Sequence, residues 1–234
     1  MDYDFSAESL KEGLILPFDK PHGWTSFNLV NKVRYQLCRY AGIKKLKVGH
    51  AGTLDPLACG LLILCTGKAT KRITEIQAMP KVYEAEITFG ATTPSFDMET
   101  EIDGTYPTKH ITKELLSQEI KGFIGRLEQV PPLFSAKNIN GVRAYSYARE
   151  GVKKELKSQS IEIFTFSIVD YNNPVLKTKI QCSKGTYIRS IARDLGKAVN
   201  SGAFLSGLVR TGIGHYTLDM AINTEKFRRK LNIL

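Results

Sequence analysis

An α+β fold is predicted by three features of the 234-residue sequence. The continuous apolar run Leu61-Leu-Ile-Leu-Cys65 reads as a buried strand. Lys81 to Gly90 alternates, with Tyr83, Ala85, Ile87 and Phe89 on one face, as a half-buried strand does. Stretches of helical period lie around these strands, without the regular βαβ alternation of a doubly wound sheet.

Gly13 to Phe18 reads as a short strand, and Lys20-Pro-His-Gly-Trp24 as a turn. Ser26 is expected to cap a helix with Phe27, Val30, Val33 and Leu37 on its apolar face. Its other face carries Lys32, Arg34 and Arg39, and a loop with Lys44, Lys45 and Lys47 follows. Gly49 to Gly60 is a glycine-rich loop that enters the apolar strand, and Ala69 to Met79 reads as a helix. Beyond the alternating strand, Ala91 to Thr108 is loop and Ile111 to Arg126 helix, stopped by Val130-Pro-Pro-Leu-Phe134. A polar basic loop, Ser135 to Arg143, precedes a short helix ending at Gly151. Strands follow near Ser160 to Asp170 and Val175 to Cys182. A helix from Thr186 to Val199, a strand around Gly207 to Thr217 and a helix from Thr224 to Lys230 complete the chain. No repeat or low-complexity linker divides it, so residues 1–234 are expected to form one domain.

Thirty-three Lys and Arg against 23 Asp and Glu give a net charge of +10, which favours polyanions such as nucleic acid. Ordinary soluble proteins are also often basic, so charge alone leaves both readings open. The four cysteines form no CxxC pair and are not spaced against histidine as in a zinc site. No metal is expected, and buried free thiols in a reducing compartment fit better than a disulfide scaffold. The N-terminal MDYDFSAESLKEG is acidic and polar, unlike a signal peptide, and the longest apolar run is too short to span a membrane. A cytoplasmic protein is expected.

Asp55 is the single acid between Asp19 and Glu75, a window that holds ten Lys and Arg. It can be a structural turn residue accepting backbone hydrogen bonds. Alternatively, surrounding cations keep it ionised as a nucleophile or base while attracting a phosphodiester substrate. Gly67-Lys68 is not a phosphate-binding loop, because Leu62 and Ala69 break that pattern. A glycosidase pair lacks its second acid in this window. Tyr83 reads as core, since its neighbours two and four residues on are apolar. Tyr187 reads as packing or as an aromatic that stacks on a base. Arg189 reads as a solvated helix residue paired with Asp194 or Glu155, or as a partner of Asp55.

Several segments in order resemble the TruB family of tRNA pseudouridine synthases. They are Lys20-Pro-His-Gly-Trp-Thr-Ser26, Gly49-His-Ala-Gly-Thr-Leu-Asp-Pro-Leu-Ala58 and Gly67-Lys-Ala-Thr-Lys71. Lys81-Val-Tyr-Glu-Ala85, Pro131-Pro-Leu-Phe-Ser-Ala-Lys137, Gly141-Val-Arg-Ala-Tyr145 and Gly185-Thr-Tyr-Ile-Arg-Ser-Ile-Ala-Arg-Asp-Leu-Gly196 continue the series. The resemblance runs from about Gly13 to Tyr216. It implies a pseudouridine synthase fold with a mixed, mostly antiparallel central sheet flanked by helices. It also implies an RNA-clamping insertion at about 131–151 and isomerisation of the T-loop uridine at tRNA position 55, with no cofactor.

By this resemblance Asp55 is the catalytic aspartate, Tyr83 stacks on the extruded uracil, and Arg189 pairs with Asp55. His50 takes the place of the flipped nucleotide, and Tyr187 and Leu208 line the uridine pocket. The expected partner is the tRNA T-arm, met by a monomer without membrane, guide RNA or protein partner. Cys59 stands where Thr or Ser is frequent, an expected packing change. With Leu234 as its last residue, the chain is expected to lack the C-terminal PUA-type domain that many family members carry. A folding factor for tRNA and a guide-dependent synthase are the competing expectations.

Overall fold

The apolar positions find their partners in a computed structural model that describes residues 3–232, except 136, 140, 141, 144, 146 and 148–155. The first elements are α1 (Ala7–Glu12), β1 (Ile15–Lys20), α2 (Ser26–Tyr40), β2 (Val48–His50) and β3 (Cys59–Thr66). A 3₁₀ segment, Gly67–Arg72, leads into α3 (Ile73–Ala78) and β4 (Lys81–Phe89). Next come β5 (Ala91–Thr92), β6 (Gly104–Thr105), α4 (Lys113–Lys121) and β7 (Gly125–Gln129). A small hairpin of β8 (Asn138–Ile139) and β9 (Val142–Arg143) precedes the long pair β10 (Gln159–Asn172) and β11 (Val175–Cys182). The last elements are α5 (Ile188–Ala198), β12 (Ala203–Ile213), β13 (Tyr216–Thr217) and α6 (Thr224–Lys230).

The main sheet is mixed and has nine strands, in the order β1-β3-β12-β4-β11-β10-β7, with β2 beside β3 and β13 beside β12. The strand order does not follow the chain, and the sheet contains both parallel and antiparallel pairs. The chain divides into two compact units, Met1–Tyr83 with Leu208–Leu234, and Glu84–Gly207.

In the first unit β3 pairs antiparallel with β1, from Ile15↔Cys65 to Lys20↔Gly60, and parallel with β12 at Val209↔Cys59 and Arg210↔Gly60. Its apolar run is continuous because both faces are covered. Leu62 and Leu64 join Phe18, Leu29, Val33 and Phe227 in one cluster. Leu61, Ile63 and Cys65 join Ala51, Ile76 and Ile213 in another. The Phe227 ring of α6 meets Phe18 edge-on at 5.0 Å and Phe5 at 5.6 Å, the geometry aromatic quadrupoles favour.

In the second unit β10 pairs antiparallel with β11 and with β7. Helix α5 buries Ile188, Ile191, Ala192 and Leu195. Gly196 allows it a close approach, since a Cβ there would lie 2.5 Å from the Ala203 nitrogen.

Several sequence expectations need correction. The cap of α2 is Thr25, which forms a capping box with Asn28. The buried face is therefore Leu29, Val30, Val33, Gln36 and Leu37, and Phe27 is turned out, 64% exposed. The helix expected to reach Arg126 ends at Lys121 with Gly122 as its cap, and Gly125–Gln129 is a strand of the sheet. The segment from Ala69 to Met79 is 3₁₀ before it is α-helical, and the loop from Ala91 holds the pair β5–β6. The strand expected from Gly207 begins at Ala203 and turns at Gly214, whose φ is +55°. The helix expected to end at Gly151 lies largely outside the described residues, and the expected clamping insertion is described only in part, through 131–135 and the pair β8–β9.

Candidate active site

Within the first unit, Asp55 occupies the loop between β2 and β3 and is half-buried. Side chains from elsewhere in the unit grip the loop's backbone. The Ser26 hydroxyl, at the start of α2, donates to the Leu54 carbonyl at 3.1 Å and accepts from the Leu54 N–H at 2.9 Å. On the other side of Asp55, the Gly23 N–H donates to the Pro56 carbonyl at 2.8 Å.

The Lys20 ammonium reaches Pro56 O at 3.4 Å while donating to Trp24 O at 2.5 Å and Pro21 O at 3.0 Å. Lys20 thus ties the turn from Lys20 to Trp24 to the turn at Asp55-Pro56. Its side chain is fully buried, and burial pulls its pKa down to about 8. Cys59 and Asp55 oppose that fall, while Arg210 adds to it, so Lys20 and Asp55 share an electrostatic neighbourhood.

Arg210 on β12 is buried too. Its Nε donates to Leu61 O at 2.8 Å and its Nη2 to Gly52 O at 3.0 Å, fixing both ends of the loop. Gly60, with φ +94°, lets β3 lie against this strand; a Cβ there would sit 2.5 Å from the Arg210 carbonyl oxygen.

His50 opens the same loop. Burial first, and the Arg210 charge second, hold its imidazole below the ordinary histidine range, so the neutral ring is favoured near pH 7. Its Nδ1 is buried without a hydrogen-bond partner among the described residues. The Cys59 thiol donates to the Leu208 carbonyl at 3.7 Å, which brings β12 and its Leu208 to the start of β3. Tyr83 lies in this unit on the buried face of β4, 8% exposed.

Within the second unit, Gln129 holds the backbone of Tyr187 from both sides. The Tyr187 N–H donates to Gln129 Oε1 at 2.8 Å, and Gln129 Nε2 donates to Tyr187 O at 3.1 Å. This fixes the entry to α5, where Tyr187 is the cap residue and has no side-chain cap bond.

Arg189 follows in the first turn and is only 4% exposed. Its guanidinium donates to Ser95 O at 3.1 Å and Phe134 O at 2.8 Å, and its Nε lies 3.5 Å from Asp97 Oδ2. A cation at a helix N-terminus opposes the helix dipole, and burial adds a desolvation cost. The buried Asp97 carboxylate and the two carbonyls offset both. Asp97 is held in turn, accepting from the Glu99 N–H at 3.0 Å. The reading of Arg189 as a solvated residue paired with Asp194 fails, because Asp194 pairs with Arg193 at 2.7 Å.

The structure therefore places Asp55, His50, Tyr83 and Leu208 in the first unit, and Tyr187 and Arg189 in the second. Asp97, Lys20, Ser26 and Arg210 were not singled out from sequence as site residues. Among the described residues, no group of three or more His, Cys, Asp or Glu side chains could hold a metal.

The fold has a counterpart among solved structures. A chain in the crystal structure of a Cbf5–Nop10–Gar1 complex matches it with a TM-score of 0.70 at 22% identity, over 96% of this chain and 58% of that one. The chain belongs to the TruB family: residues 39–188 match the TruB family pseudouridylate synthase (N terminal domain). The tRNA pseudouridine synthase B of Phocaeicola vulgatus is 56% identical over 219 residues, 94% of this chain and 93% of that protein. The protein of the same name in Bacteroides fragilis is 53% identical over 94% of both chains.

Proposed function

We propose that this chain isomerises the T-loop uridine at position 55 of tRNA to pseudouridine. It would act as a cytoplasmic monomer, without guide RNA, protein partner, metal or cofactor. The observation that carries the reading is Asp55, the single acid of its basic stretch, on a loop fastened through its backbone by Ser26, Lys20 and Arg210. Family membership and the +10 charge support the same substrate. Among the described residues, no helix is long and apolar enough to cross a membrane.

In the proposed reaction the N1–C1′ bond breaks, the uracil turns, and C5 bonds to C1′. The C5 proton passes to solvent and N1 takes one up, so the change is an isomerisation. Asp55 either attacks C1′ or removes a sugar proton, and the fastened loop suits both by fixing its approach. Arg189 is proposed as the cation that keeps Asp55 ionised. Tyr83 would stack on the extruded uracil, and Tyr187 and Leu208 would line its pocket. His50, as a neutral imidazole, would support the vacated stack. Extrusion of the base costs a few kcal/mol, to be recovered from these contacts.

The test uses tRNA transcript tritiated at uridine C5, with purified protein and neither guide nor metal. Wild type should release tritium, and Asp55→Asn should lose about 10³-fold or more in single-turnover rate while still binding tRNA. Binding without release by wild type would favour the folding-factor reading. Release by Asp55→Asn at the wild-type rate would remove Asp55 from the chemistry.

A further inference from the structure

The outward face of α2 has no role in the reaction proposed above. Tyr35 stands on it, 61% exposed although aromatic, with Asn31 one helical turn before it. Two grooves meet at this pair. One, of about 550 Å³, is lined by Gly23, Trp24, Asn28, Asn31, Lys32 and Tyr35. The other, of about 540 Å³, runs from Asn31 and Tyr35 past Arg34 to Lys44, Lys45 and Lys47. Asn31 Oδ1 accepts from Arg34 Nη2 at 2.7 Å, which holds that guanidinium next to the tyrosine. From Lys20 to Leu54 there are seven Lys and Arg and no acid.

An exposed ring between cation-lined grooves matches the two needs of an unpaired nucleotide: a flat face for the base and positive charge for its flanking phosphates. The amide oxygens of Asn28 and Asn31 are taken up by Thr25 and Arg34, which leaves their NH2 groups to donate to base edges and 2′-hydroxyls. The absence of acids disfavours a basic protein partner. The resemblance to the TruB family already implies that the basic stretch from Lys32 to Lys47 holds RNA phosphates; beyond that, we infer that Tyr35 stacks on an unpaired nucleotide other than the target uridine, with Lys44, Lys45 and Lys47 on the phosphates beside it. The inference rests on RNA being the substrate, but not on Asp55 chemistry.

The experiment measures dissociation constants for unmodified full-length tRNA by fluorescence anisotropy, with wild type, Tyr35→Ala and Tyr35→Phe. Tyr35 is exposed, and circular dichroism checks that the variants keep the fold. Tyr35→Ala should bind about tenfold more weakly, the size of one lost base–aromatic stack, and Tyr35→Phe within about twofold of wild type. Lys44→Ala with Lys45→Ala should flatten the plot of log affinity against log salt by about 0.7 for each lost single-strand phosphate contact. Equal binding by Tyr35→Ala and wild type overturns the inference. So does a Tyr35→Phe variant as weak as Tyr35→Ala, which would mean hydroxyl bonding rather than stacking. Tritium release by wild type in the same preparation separates the two claims. Release with unaltered Tyr35→Ala binding removes this surface alone. A wild type that binds no tRNA removes the substrate reading, and the face would then suit an acidic protein partner.

Discussion

In the first unit the loop around Asp55 is held by side chains that grip its backbone, whereas in the second unit Arg189 is itself the side chain being held. Ser26, Lys20 and Arg210 bond to Leu54, Pro56 and Gly52, and the carboxylate between them stays half-buried. Arg189 is buried, and its guanidinium is directed at two carbonyls and a buried carboxylate. The first arrangement fixes the loop that carries an acid through bonds to the loop's backbone. The second fixes a charge by enclosing it, and ties the stability of its surroundings to that charge.

The sharpest test of this contrast is removal of the Arg189 charge. Arg189→Met leaves the Asp97 carboxylate buried without its cation and removes the donors to Ser95 O and Phe134 O. Breaking a buried pair from one side costs about 3–5 kcal/mol. Urea unfolding should show a loss of that size, and Arg189→Met with Asp97→Leu should recover part of it. A loss below about 1 kcal/mol in the single variant would mean that the enclosure does not hold the second unit together.

The same contrast explains what was legible in the sequence. Asp55 stood out because nothing near it in the chain carries its sign. Asp97 did not, because Glu99, Glu101 and Asp103 crowd the same loop, and only the fold selects the buried one. Nothing local marks Lys20 and Arg210, since Lys and Arg usually lie at the surface and burial behind backbone carbonyls leaves no signal in the chain. Strands β3 and β4 and helix α6 fall close to their expected bounds. The junction of α4 and β7 did not, because Phe123 and Ile124 continue an apolar pattern across two glycines. Long-range pairing with β10 decided that segment.

A smaller effect should appear in pH dependence, through Lys20 as a positioning residue. With its pKa near 8, the ammonium that ties Pro56 is lost as pH rises through that value. Single-turnover isomerisation should fall about tenfold from its plateau by pH 9 and follow one proton. Stability should move the other way. Between pH 8 and 10.5 the unfolded chain holds the Lys20 proton and the folded chain does not, so the contribution of Lys20 to stability rises with pH. Lys20→Gln should abolish both limbs relative to wild type. An activity fall that survives in Lys20→Gln would assign it to another group.

The smallest expected effect is at Ser26, where only neutral hydrogen bonds are at stake. Ser26→Ala removes one donor and one acceptor from Leu54 and should cost about 1 kcal/mol in urea unfolding. Its value lies in where the kinetic loss falls. If the loop's grip serves to aim Asp55, the variant should lower the single-turnover rate at saturating tRNA more than it weakens binding, because only the reacting geometry is loosened. A variant that weakens binding and keeps the saturated rate would show that the grip shapes the RNA surface instead. The backbone fastening of the first unit would then be a binding device, and aiming Asp55 would fall to the remaining anchors, Lys20 and Arg210.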